Sequence, residues 1–308
     1  MVVNESGIGH GISHGIDQLD FSAYLKDLAA LIAMESVSGH AQGNAAVITF
    51  LQQRLAAIGF EVEIHGAEQT DQPLIIARWV KGSGPVLVMY NHYDVEAIAE
   101  SEQWLSEPFT LTARDERLWA RGIADNKAVL LARLAVLEAR IEQGEPLPDL
   151  VWLIQGEEEV GSPVAHELMP DILGSLNAFI CLEETGYVRD GVPLIFYRTP
   201  TNAAESGLAA NELLSSLNSA LYAGAGRFEN RTLSKFGPCP MVSNLPAGAF
   251  YLGFGPNDYQ ARIHRDNESM SDTLLQQYLS VFDDFLDWTI NTMTHTGICS
   301  GTCNECVA

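Results

Sequence analysis

Two hydrophobic rhythms alternate along most of the chain. From Leu19, the apolar positions Phe21, Leu25, Leu28 and Ile32 recur at helical spacing, and a second amphipathic stretch over residues 44–58 is stopped by Gly59. Short β runs follow at residues 61–65, 74–79 and 86–90, the last apolar enough to be buried on both faces. The pattern then predicts a helix over residues 126–143, a strand at 150–154, a helix near 166–173 and strands at 179–182 and 194–197. After these come a helix near 211–221, a stretch at 224–248 rich in Gly, Pro and Asn, a strand at 250–253 and a long amphipathic helix over 272–292. Strands alternating with helices predict an α/β fold, a mostly parallel sheet with helices on both faces.

Length and charge narrow the class. At roughly 150 residues per domain, 308 residues suit two domains or one large α/β domain. The expected organisation is an arm over residues 1–16, one catalytic domain over 17–292 and a tail over 293–308, with 224–248 as the sole candidate linker. His10 and His14 fall in the Gly- and Ser-rich arm and are read as part of it rather than as ligands. Forty acidic against 17 basic residues give a net charge of −23, a field that repels nucleic acid and anionic membrane surfaces. No apolar run reaches the roughly 18 residues of a membrane helix, and the N-terminus lacks a basic start and an apolar signal core, so a cytoplasmic protein is expected. Cys181 and Cys239 stand alone and make no disulfide framework. Cys299, Cys303 and Cys306 crowd the tail, too few for a self-contained four-thiol zinc site.

The acidic excess gains meaning from position. Polar clusters follow apolar strands at Asn91-His92-Tyr93-Asp94, Glu157-Glu158-Glu159 and Glu183-Glu184, with His264 ten residues beyond FYLGF. Asp125 opens a predicted helix. The carboxyl ends of strands in open α/β sheets form the ligand crevice, so these groups can converge. Several carboxylates in one crevice cannot all stay ionised without cations, and imidazole with carboxylate suits zinc. A dinuclear site follows, and His92-x-Asp94 lets one ring nitrogen bind metal while the carboxylate holds the other.

The order and spacing of these motifs resemble the dinuclear zinc peptidase family that includes carboxypeptidase G, aminoacylase and carnosinase. The resemblance rests on His92-Tyr93-Asp94-Val95, on Trp104 and Pro108-Phe109, on the segment from Leu118 to Lys127, on Gly156-Glu157-Glu158-Glu159-Val160-Gly161-Ser162, and on His264-Arg265-Asp266-Asn267-Glu268-Ser269. It implies two zinc ions, with cobalt or manganese as possible substitutes. Asp125 would bridge them, His92 and Glu183 would complete one metal, and Glu159 and His264 the other. Glu184 is the alternative to Glu183, which the Glu-x-Thr pattern favours. The resemblance further implies that Asp94 orients His92 and that Glu158 is the general base in metal-assisted hydrolysis of an amide bond, in a small peptide or an N-acyl amino acid.

Departures from the family are also legible. Its inserted lid domain, well over a hundred residues after a strand ending near Arg198, has no room in the roughly fifty residues before the Gly253 strand end. Substrate contacts would then fall to Arg198, Asn202, Arg262 or Arg265, and the protein is expected to be a monomer or to use a dimer surface unlike the family's. Ala128 stands where the family often has Gly. The rival reading is a catalytically weak or partner-dependent protein that keeps the metal crevice for binding.

Overall fold

The all-apolar runs become the middle of one sheet, because only a strand covered on both faces can be apolar at every position. The computed structural model describes residues 19–184, 186–200, 210–231 and 239–295. In chain order its elements are α1 (Phe21–Ala33), α2 (Ala41–Ala57), β1 (Glu61–His65), β2 (Leu74–Trp79), β3 (Val86–His92), β4 (Thr112–Arg114), β5 (Arg117–Trp119), α3 (Ala128–Gln143), β6 (Leu150–Gln155) and α4 (Pro163–Ser175). There follow β7 (Ala178–Leu182), β8 (Val188–Arg189), β9 (Val192–Arg198), α5 (Ala210–Tyr222), β10 (Arg227–Asn230), α6 (Pro240–Ser243), β11 (Phe250–Gly253), β12 (Ser269–Ser271) and α7 (Asp272–His295). The main sheet runs β1-β2-β6-β3-β7-β11-β9-β10, with β8 paired to β9.

Every residue of β3, β6 and β7 is buried. The two-residue period of a strand divides their side chains between two cores. Leu87, Met89, Trp152, Ile154, Ile180 and Leu182 pack with residues of α1, α2, α3, α5 and α7. Val88, Tyr90, Val151, Leu153 and Cys181 pack with Ala165 and Met169 of α4 and with Met241 and Val242 of α6. Helices therefore cover both faces.

Direction matters most for function. β6, β3, β7 and β11 are parallel neighbours, with His92 opposite Gln155 in register, so the polar residues after these strands emerge along one edge. A second sheet, β12-β5-β4, joins the segment before Asp125 to the segment after His264. Its three-residue strands carry no hydrophobic rhythm, and the β4–β5 turn at Asp115 and Glu116 takes positive φ at both residues without a glycine.

The stretch over 224–248 is not a linker where it is described. It contains β10, which extends the main sheet beside β9, and α6, which packs on the second core. The Asn218 side chain knots its start, donating to the carbonyls of Gly224 and Gly226 and accepting from the Gly226 N–H. The described part of the interval after Arg198 therefore completes the main sheet and its helical layers. Residues 1–18, Asn202 and the three tail cysteines lie outside the described residues, and among those described no helix is long and apolar enough to cross a membrane.

Leu153, fully buried on β6 between β2 and β3, sets a test of this core. Leu153→Ala should cost about 2–5 kcal/mol by leaving a cavity. Leu105→Ala, at a side chain 77% exposed, should stay within about 0.5 kcal/mol. Urea unfolding midpoints compare the two.

Candidate metal centre

His92 ends β3 with no exposed surface. Its Nδ1 lies 3.1 Å from the Asp94 carbonyl oxygen and 3.3 Å from the Asp94 carboxylate, both acceptors, so Nδ1 carries a proton. Nε2 is turned to Asp125 Oδ1 at 2.9 Å. The second oxygen of Asp125 faces a different histidine, 3.3 Å from His264 Nε2, and the same nitrogen lies 2.8 Å from Glu159 Oε2. One carboxylate thus presents one oxygen to each histidine.

The backbone around Asp125 is held for this purpose. Residues Ile123–Lys127 form a wide turn ahead of α3, with Asp125 at non-helical angles and a cis peptide to Asn126. The buried Glu268 carboxylate accepts from the N–H groups of Gly122 (2.8 Å), Ala124 (2.8 Å) and Asp125 (3.2 Å), and from Arg121 Nη1. Asn257 Nδ2 donates to the Ala124 carbonyl. Gly122 sits at φ +75°, where a Cβ would stand 2.1 Å from Val95 Cγ1, so this position demands glycine.

The other donors are fixed in the same way. Asp94 Oδ2 accepts the Glu159 N–H at 2.9 Å, so the residue that orients His92 also locates Glu159. Asn126 Nδ2 donates to the Glu184 carbonyl, while Arg133, buried on α3, donates to the carbonyls of Tyr90 and Glu183 and to Asn91 Oδ1. Adjacent residues beyond a strand diverge, and here the Glu183 carboxylate lies against Arg231, while neither Glu183 nor Glu184 joins the His92–Asp125–Glu159 group. Both carboxyls are buried, and among the described residues neither Glu183 Oε2 nor Glu184 Oε2 accepts a hydrogen bond.

Arg198 donates to the Val242 carbonyl, and Arg262 donates to Asp266. Arg262 also lines a cavity of about 420 Å³ with Tyr187, Arg189, Asp258, Tyr259 and Ile263.

The electrostatics are those of several acids and two histidines crowded into one buried crevice. Burial pushes Glu159 up to about 7 against the opposing hydrogen bond from His264, and pushes Glu184 up to about 8. Burial also raises Glu158, with the His92 charge opposing it. Asp125 is disfavoured by burial, yet hydrogen bonds from His264 and His92 hold it well below the usual carboxylate range. The same bonds lift His264 to about 10. Burial works against the His92 charge, but the Asp125 and Asp94 carboxylates hold its pKa well above the ordinary value. Among the described residues, Glu159 Oε1, Glu183 Oε2 and Glu184 Oε2 are buried without hydrogen-bond partners, while Asp94 Oδ1 is turned to His92 Nδ1 at 3.3 Å. Ligand atoms of His92, Asp125 and Glu159 lie within 4.8 Å of one another. Two imidazoles and several unsatisfied buried oxygens form a donor set that fits zinc or a similar divalent cation.

A model of Peptidase family M20/M25/M40 matches residues 88–288. The chain belongs to this family. It is 33% identical over 122 residues to a probable di- and tripeptidase, DUG2, of Saccharomyces cerevisiae, covering 38% of this chain and 14% of that protein. It is 32% identical over 139 residues to the human beta-Ala-His dipeptidase, covering 42% of this chain and 27% of that protein. The aligned stretches thus span well under half of these curated relatives. The fold is that of the yeast di-peptidase Dug1p, with a TM-score of 0.71 at 12% identity over 89% of this chain and 96% of that one.

In this M20/M25/M40 member, Glu268 belongs to the His264 motif, and its sequence position alone assigns it no task. The available signal was an acid close in sequence to a candidate ligand. Glu268→Gln should weaken metal binding on the order of 10-fold to 100-fold although Glu268 is no ligand, because one amide oxygen cannot serve all the N–H groups that now share the carboxylate. Competition with a zinc chelator measures it.

A pH effect follows from the same groups. In the metal-free protein Glu159, Glu184 and His264 hold protons below about 7, 8 and 10 respectively. An entering cation must expel them, so affinity should rise with pH through this range and fall in acid. Calorimetric titrations in buffers of different ionisation enthalpy should show proton release on binding.

Proposed function

We propose that the protein is a metal-dependent hydrolase that cleaves the amide bond of a small peptide or N-acyl amino acid at a two-zinc centre. The observation that carries this reading is the division of Asp125, whose Oδ1 faces His92 and whose Oδ2 faces His264. His92, Asp125 and Glu184 would hold one zinc, and Asp125, Glu159 and His264 the other. Glu184 takes the place that the sequence pattern favoured for Glu183, because Arg231 engages the Glu183 carboxylate. The names of the relatives support di- and tripeptides as substrates, and a cytoplasmic location and a monomer, or a dimer surface unlike the family's, complete the reading.

When bound, the zinc ions supply Lewis acidity toward the scissile carbonyl and toward water. The residues do the rest. Asp94 keeps the proton on His92 Nδ1 and so commits Nε2 to the centre. Glu158, half-buried one residue before Glu159, has its proton affinity raised by burial, as suits a group that takes a proton from water and returns it to the leaving amine. Retention of Glu158 beside a full donor set favours turnover over mere binding. Of the candidate substrate contacts, Arg262 lines a cavity, whereas Arg198 donates to the Val242 carbonyl.

Metal analysis and a screen of dipeptides and N-acyl amino acids test the proposal. Zinc-loaded protein should hold about two ions per chain, and Asp125→Asn should lose both; saturation at one ion or none would overturn the dinuclear reading. Glu158→Gln should keep its zinc and lose on the order of 100-fold to 10,000-fold in kcat. A metal-replete Glu158→Gln protein with ordinary rates would place the base elsewhere.

A further inference from the structure

The loop that leaves β3 brings a further carboxylate to the centre. Glu96 follows Asp94 by two residues, and its ligand atom lies with those of Glu159 and His264 in a second group, all within 4.8 Å of one another. The backbone there is fixed from several sides. The Asp94 carboxylate takes the Glu159 N–H, Val95 N–H donates to the Ser36 carbonyl, and the Val95 side chain abuts Gly122. Farther along, the loop is latched to the segment carrying His264. Gln103 and Leu105 donate their N–H groups to the side chains of Asp266 and Asn267, and Asn267 Nδ2 returns a hydrogen bond to the Gln103 carbonyl.

The acids of this loop have different fates. Glu102 is committed, receiving Arg121 and the Trp104 indole N–H. Glu96 is joined to no other described residue by a hydrogen bond or ion pair, and it stays half-buried against two candidate ligands. An independent observation points to a cation at the same place. The Glu159 side chain is 4% exposed, its Oε2 is on His264, and its Oε1 has no hydrogen-bond partner among the described residues. Two carboxylates and an imidazole whose ligand atoms meet within this distance make a donor set suited to a divalent cation.

Resting on the metal-centre reading above, we infer that Glu96 is an additional ligand to the cation held by Glu159 and His264. That cation then has four protein donors, Asp125, Glu159, His264 and Glu96. The cation on the His92 side has three. Zinc with four protein ligands is closed and firmly held, whereas three ligands leave a position open. Glu96 thereby separates the two ions into a retained one and a more exposed one.

Zinc titration into the metal-stripped full chain tests this, with Glu96→Gln, which keeps shape and loses charge, and Glu96→Ala. Circular dichroism melts establish that each variant is folded. Glu96→Gln should weaken one of two zinc-binding steps on the order of 10-fold or more and leave the other unchanged. The weakening should persist in a His92→Ala background and vanish in a His264→Ala background. Identical binding constants in wild type and Glu96→Gln would overturn the assignment. So would equal weakening in both backgrounds, which marks a general field effect. Unchanged zinc binding with a raised KM confined to substrates bearing a free amino group would also overturn it and give Glu96 to the substrate ammonium. A wild-type chain that saturates at one zinc defeats the dinuclear reading by itself, and is distinguished from a failure of Glu96 alone because no variant is needed to see it.

Discussion

The carboxylate of Glu268 gathers the N–H groups of Gly122, Ala124 and Asp125 and the guanidinium of Arg121 around one buried point. Much of the centre depends on that point. A wide turn leaves backbone donors without intrahelical partners, and buried donors left unpaired are costly. Glu268 satisfies three of them at once and so makes the turn at Asp125 a stable conformation. The Asp125 carboxylate is then poised between two histidines that come from distant parts of the chain. Burial pushes Glu268 up to about 7, with the Gly122 N–H bond opposing; what holds its charge in place is the same set of donors that it organises.

Charge around the crevice is arranged in shells. Outer acids are answered by protein cations: Glu183 by Arg231, Glu102 and Glu268 by Arg121, Asp258 by Arg117. Of the inner acids, Asp125 and Glu159 face histidines, and these are shared. Arg133, fully buried, donates to carbonyls, to Asn91 and to the Tyr278 hydroxyl rather than to a carboxylate, so it steers the strand ends while its charge still favours ionised Glu183 and Glu184. The basic residues thus brace the frame and the middle of the crevice stays rich in acids.

How far the sequence could be read depended on whether a residue's role was local. The apolar runs of β3, β6 and β7 placed the sheet, and the polar residues at their ends placed His92, Glu158, Glu159 and the 183–184 pair, because strand direction alone brings such ends together. The choice within that pair was beyond local reading, since the arginine that faces Glu183, Arg231, comes from just after β10, far along the chain. β10 itself was hidden because Arg-Phe-Glu-Asn is a half-exposed edge strand whose pairing with β9 is made by backbone atoms. The small β4-β5-β12 sheet was hidden for a similar reason: three-residue strands have too few side chains to show a period. Glu96 was invisible as a candidate because its neighbours in space come from β6 and from the His264 turn.

That small sheet acts as a ruler. Ser269 stands opposite Trp119 and Met270 opposite Leu118, so the chain distances from this rung to Asp125 and to His264 are counted in whole residues. A slip of one residue shifts a strand by about 3.3 Å and turns its side chains to the other face, which is more than the gap now separating a histidine nitrogen from its carboxylate oxygen in either half of the centre. Insertions and deletions are therefore constrained unevenly. The Asp115–Glu116 turn can change length without altering the count, while one residue gained or lost between Trp119 and Asp125, or between His264 and Ser269, puts the two halves of the centre out of step.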